Sequence, residues 1–118
     1  MQYSIGQFSR MCGLSIDTLR FYEKQGLIFS TRDQNNRRVY TEKDIDWVKF
    51  ILRLKKTDMS IKKMQKYARL RYQGNKTIPQ RLVLLFEQLD SLHQEQDKLN
   101  ENIKFIEHKI KSYLELTK

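Results

Sequence analysis

The stretch Ser4-Ile5-Gly6-Gln7-Phe8-Ser9-Arg10-Met11-Cys12-Gly13-Leu14-Ser15-Ile16-Asp17-Thr18-Leu19-Arg20-Phe21-Tyr22-Glu23-Lys24-Gln25-Gly26 decides the fold. Ser4 with Gln7 three residues on fits a capping box, so a helix starts there with Ile5, Phe8 and Cys12 on one face. Gly13-Leu14-Ser15 breaks it. Ser15 caps a second helix, Asp17 suits its positive N-terminus, and Gly26 supplies a left-handed stop after Gln25. Two short helices joined by a tight glycine-containing turn, residues 4–25, form a helix-turn-helix.

Downstream, Leu27-Ile28-Phe29 and Arg38-Val39-Tyr40 are short apolar runs. Asp33, Asn35 and Asn36 lie between them and tolerate turn conformations. The reading is a β-hairpin wing over about residues 27–40 with a long basic tip. Thr41 and Asp44 start a third helix, whose apolar stripe is Ile45, Val48, Ile51 and Leu52. Ser60 starts a fourth, carrying Ile61, Met64, Ala68 and Leu70, and Gly74-Asn75 ends it. Thr77-Ile78-Pro79-Gln80 combines a Thr cap, an early proline and Gln at N3, and it opens a helix that nothing interrupts before Tyr113.

That last helix carries a heptad seam. Leu82, Leu85, Leu89, Leu92, Gln96, Leu99, Ile103, Ile106, Ile110 and Tyr113 occupy alternating a and d positions, and Gln96 is the one polar member. Five sustained heptads predict self-association through a coiled coil. The expected fold class is mainly α. A winged helix-turn-helix domain spans residues 1–76, and a dimerisation helix spans 77–118.

Charge follows the same division. The chain has 118 residues, 23 Lys and Arg against 14 Asp and Glu, and a formal net charge of +9. Residues 1–76 hold 17 basic and 7 acidic side chains, a net of +10; residues 77–118 hold 6 and 7, a net of −1. A basic excess confined to the helix-turn-helix segment predicts a nucleic-acid partner. On a helical wheel Ile16 and Leu19 face inward, while Thr18, Arg20, Phe21 and Lys24 form a reading face. Arg pairs with guanine, and Thr or Phe meets a thymine methyl. Arg32, Arg37 and Arg38 on the hairpin, with Tyr40, are candidate phosphate contacts. Lys55, Lys56, Lys62 and Lys63 form a candidate second basic shoulder.

Several classes are disfavoured. One cysteine excludes an internal disulfide framework, and no metal-ligand spacing involves the two histidines, His93 and His108. No metal, cofactor or membrane partner is expected. No phosphate loop or nucleophile-base arrangement points to an enzyme. With no signal-peptide core or long apolar run, the expectation is a cytoplasmic, soluble protein. Cys12 reads as a small buried hydrophobe.

Ile5-Gly6-Gln7-Phe8, Thr18-Leu19-Arg20-Phe21-Tyr22-Glu23, Gly26-Leu27-Ile28, and Arg37-Arg38-Val39-Tyr40 leading to Asp44-Ile45 together resemble the MerR family of bacterial transcription regulators. The resemblance covers the whole chain. It is greatest to the small branch that includes aldehyde- and nitric-oxide-responsive members and lacks an effector domain. It implies a homodimer with an antiparallel coiled coil, bound to a pseudo-palindrome in a promoter spacer, that distorts double-stranded DNA for RNA polymerase holoenzyme. Thr18, Arg20 and Tyr22 match the family's recognition-helix positions, Arg37, Arg38 and Tyr40 its wing, and Lys62 and Lys63 its second wing. There are departures. Phe21 stands where Tyr is common, and Asn36-Arg37 where Gly-Tyr is usual. Arg53 stands where the thiol-sensing branch has cysteine, and the metal-sensing cysteines are missing. A non-specific nucleoid- or RNA-binding protein assembled through its coiled coil is the alternative.

Overall fold

The computed structural model describes residues 1–118, in two compact units, Met1–Leu84 and Leu85–Lys118. In the first, a short strand β1 (Tyr3–Ser4) leads into α1 (Ile5–Cys12). The capping box forms: the Ser4 hydroxyl accepts from the Gln7 amide, and the Gln7 side chain accepts from the Ser4 amide. Gly13 turns the chain at φ +73°, a left-handed geometry that strains any residue with a Cβ. Ser15 then caps α2 (Ile16–Lys24), and Gly26 at φ +75° ends it. The helix-turn-helix therefore has the boundaries and stops that its capping residues demand.

The wing is built differently from the expectation. Leu27-Ile28-Phe29 is not a strand. Leu27 and Ile28 are buried, and the Leu27 carbonyl accepts from the Trp47 indole N–H at 2.8 Å. The Phe29 amide donates to the Tyr72 hydroxyl at 3.3 Å. These backbone groups are satisfied by side chains, so no ladder forms there. Pairing begins at β2 (Thr31–Arg32), which runs antiparallel to β3 (Arg38–Tyr40). β1 adds a third, unanticipated strand on the other edge of β3, with Tyr3 opposite Tyr40. Two residues are too few to show alternation in sequence.

The tip turn is held by Asp33. Its carboxylate accepts from the amides of Asn35 and Arg37, both at 2.9 Å. Asn36 takes the left-handed region at φ +60°, which Asn tolerates better than most residues.

Helix α3 (Glu42–Lys56) starts where the Thr41 amide donates to the Asp44 carboxylate. It buries Ile45, Val48 and Ile51 as the stripe predicts. It also buries Trp47 and Leu54, while Leu52 stays half-exposed. Helix α4 (Ile61–Tyr72), capped by Ser60, buries Met64, Tyr67 and Ala68; Ile61 is exposed. The core joins α1, α3 and the sheet through Phe8 and Tyr40, whose rings stack at 4.2 Å. It continues through Leu19, Ile28, Val48 and Ile51.

After α4, a single 3₁₀ turn (Asn75–Thr77) precedes α5 (Ile78–Leu116), a helix of 39 residues. Thr77 does not cap α5. Its buried hydroxyl lies 2.5 Å from the Leu70 carbonyl and 2.8 Å from that of Gly74, so it closes α4 instead. Leu84 is buried, whereas Val83 and Phe86 are exposed.

Phe8 is wholly buried and its ring is the partner of Tyr40. Phe8→Ala is expected to lower stability by about 3–5 kcal/mol, the range for a buried aromatic truncation. Urea unfolding followed by Trp47 fluorescence measures it. A loss below about 1 kcal/mol would mean the site collapses without cost.

Candidate nucleic-acid interface

The expected reading face of α2 divides into three groups. Arg20 and Lys24 are exposed with no ion-pair partner within the chain. Phe21 is 52% exposed, an apolar ring facing solvent beside two cations. Thr18 is half-buried, and its hydroxyl accepts from Ser15 at 2.8 Å, which fixes its rotamer at the helix start. Tyr22 is a correction: it is 6% exposed and belongs to the core, not to a DNA-facing surface. On the wheel it sits at the edge of the packing face, and its large ring decides for the inside.

On the wing, Arg32 and Arg37 are exposed. Arg32 reaches back across the tip to the Asn36 carbonyl at 3.2 Å. Arg38 is half-buried and its Nε is bonded to the Glu23 carboxylate at 2.5 Å. The same carboxylate accepts from Ser30 at 2.9 Å. Glu23 thus ties α2 to the wing, and Arg38 has a structural partner besides any phosphate it meets. Tyr40 is the second correction. It is 1% exposed and stacked on Phe8, so its hydroxyl cannot reach a phosphate. Burial raises its pKa above the usual tyrosine range, and the nearby Glu23 carboxylate adds to the rise. Lys62 is exposed and Lys63 half-buried, both in the first turn of α4. The Glu23 link is missed by sequence reasoning; the one signal for it is the position of Glu23 close to the inward face of the wheel.

In α5 the seam residues Leu82, Leu89, Leu99, Ile103, Ile106, Ile110 and Tyr113 are all exposed; Leu85 and Leu92 are half-buried and Gln96 is exposed. Leu99 stands at 59% and Ile106 at 55%, values at odds with an apolar stripe that meets only water. No helix is long and apolar enough to cross a membrane, and no group of His, Cys, Asp and Glu is placed to hold a metal ion.

A winged helix-turn-helix with these capping residues, followed by a long heptad helix, is an architecture shared with known proteins. The profile of the MerR HTH family of regulatory proteins matches residues 3–70. The chain belongs to the MerR family. An uncharacterised HTH-type transcriptional regulator of Haemophilus influenzae is 32% identical, over 96% of this chain and 84% of its own. The HTH-type regulator AdhR of Bacillus subtilis is 33% identical over 75% of this chain and 64% of its own. Among solved structures, HiNmlR, a MerR family regulator lacking the sensor domain and bound to promoter DNA, is 32% identical. It covers 98% of this chain and 92% of its own, with a TM-score of 0.73. A MerR-type regulator of Listeria monocytogenes is 29% identical, covers 94% and 85%, and has a TM-score of 0.76. This MerR chain is accordingly a transcriptional regulator with a DNA-binding fold, and its homologues are regulators rather than enzymes.

Cys12, the one thiol of this MerR chain, is half-buried on α1. Burial pushes its pKa above the usual thiol range; Lys49 pulls it down by less, and Asp44 adds to the rise. A raised pKa leaves less thiolate at any given pH. Reaction with Ellman's reagent at about pH 8 is expected to be several-fold slower than for a free thiol of ordinary pKa, and to accelerate as pH rises. A rate matching the free thiol would contradict the burial.

Proposed function

We propose that the protein is a homodimer that reads a pseudo-palindromic operator in a promoter spacer and distorts the duplex to control transcription by RNA polymerase holoenzyme. The observation that carries the reading is the set of Arg20, Phe21 and Lys24, exposed together on α2 next to a basic wing. Arg20 is the base-reading residue, suited to guanine, with Phe21 against a thymine methyl and Thr18 beside them. Lys24, Arg32, Arg37, Arg38 and Lys62 grip phosphates, and Lys63 contributes to the same shoulder. HiNmlR, a relative of like length, is bound to promoter DNA, which supports double-stranded DNA as the partner here.

Dimerisation completes the design. A palindrome needs two reading heads, and the exposed a and d residues of α5 supply the means. An antiparallel pair brings Gln96 near its own copy, where two amides satisfy one another and hold the register. Balanced charge in residues 77–118 suits close approach of two like helices.

The test is fluorescence anisotropy with two duplexes of equal length, the promoter of the protein's own gene and a shuffled sequence, at two salt concentrations. A preference of about a thousandfold or more is expected. Equal affinity with one steep salt slope, at this and other candidate promoters, would instead mean non-specific nucleic-acid binding.

Arg20→Ala should cost about 1–3 kcal/mol on the operator and little on the shuffled duplex. Arg37→Ala should weaken both and lower the salt slope by about 1. Equal losses on both duplexes for Arg20→Ala would remove it from base reading. Leu89→Asp combined with Ile106→Asp should give monomers by sedimentation equilibrium at micromolar concentration; persistent dimers would refute the seam.

A further inference from the structure

On the first unit, α3, α4 and the first turn of α5 enclose an open groove of about 240 Å³, lined by Asp46, Trp47, Phe50, Tyr67, Arg71 and Arg81. Its floor is aromatic. The Phe50 ring lies 5.8 Å from Trp47 and 5.4 Å from Tyr67, and Trp47 lies parallel to Tyr67 at 5.9 Å. Trp47 and Tyr67 are buried and committed to the fold; Phe50 is the exposed ring. Two guanidinium groups line the same groove. That of Arg71 is 4.7 Å from the centre of Trp47 and 4.9 Å from that of Tyr72, and it donates to the Lys43 carbonyl. Arg81 donates to Thr77 and Gly74, which orients its plane at the start of α5. Neither meets a carboxylate within ion-pair distance. Asp46, on α3, leaves the groove with a net charge of +1.

We propose that this groove binds a small planar aromatic carboxylate. A guanidinium stacked on an aromatic face is weakly hydrated, and its remaining N–H groups lie in one plane, the geometry that matches a carboxylate. Arg81 adds a second guanidinium to the lining of the same groove, and two cations there select an anion over a neutral molecule. The exposed Phe50 ring selects a ligand with a ring of its own, since a bare phosphate leaves that ring in water. The volume is just below the range of about 300–1,000 Å³ for drug-sized ligands, so one ring with one acid group fits it. The site is built of first-unit residues alone, and binding to it requires no DNA, so it stands apart from the promoter reading.

Trp47 is the only tryptophan and reports on the groove directly. Benzoate, benzyl alcohol and inorganic phosphate are titrated into the full-length protein while Trp47 emission is recorded. Benzoate is expected to give a saturable change at millimolar concentration or below. Benzyl alcohol and phosphate should bind at least tenfold more weakly, about 1.4 kcal/mol. Arg71→Gln and Phe50→Ala, with folding checked by circular dichroism, should each weaken benzoate by about tenfold or more. The proposal is overturned by a strictly linear response to benzoate, as when a second copy fills the groove. Equal binding of benzyl alcohol or phosphate overturns it too, as do two folded variants that bind benzoate like the parent.

Discussion

The ring of Tyr40 lies on Phe8 with 7° between the planes, and it joins the last strand of the wing to the first helix. Both rings are inaccessible to water, and β1 closes over the other edge of β3 through the pairing of Tyr3 with Tyr40. A three-residue strand has little intrinsic stability. Here it is fixed by a stack on one side, by a second strand on each edge, and by the Arg38 link to Glu23 on α2. Helix α2 and the wing are consequently tied together by side-chain contacts.

Around these elements the surface is divided by chemistry. Guanidinium and ammonium groups concentrate in the first 76 residues, and apolar side chains at heptad spacing run along α5. At 1.5 Å per residue, 39 residues give a rod about 58 Å long. An apolar stripe of that length is a poor surface for a lone chain, because each exposed Leu or Ile forfeits about 1.5–3 kcal/mol of burial. Association recovers part of that free energy, less the cost of losing independent motion.

Most of the helical plan is legible in the sequence because caps and stops are local: Ser4, Ser15, Ser60, Gly13 and Gly26 each act within four residues. The seam is legible because its repeat is long. What the sequence hides depends on contacts distant along the chain. β1 pairs with a strand more than thirty residues away, and Leu27 commits its carbonyl to Trp47 rather than to a neighbouring strand. Tyr22 and Tyr40 carry hydroxyls that suit phosphate and rings that suit a core; only the packing of Phe8, α3 and the sheet decides between them. Arg38 reads as a free cation because its partner Glu23 lies fifteen residues earlier on another element. The aromatic groove leaves no pattern at all, since Trp47, Phe50, Tyr67 and Arg81 come from three helices.

The apolar stripe of α5 has a consequence for the order of folding. Helix-rich domains with mostly local contacts fold in microseconds to milliseconds. The core around Phe8, Leu19, Tyr40 and Val48 lies within the first unit and needs no second chain. Covering the α5 stripe with a second copy would instead be a bimolecular step, concentration-dependent and on a scale of milliseconds to minutes.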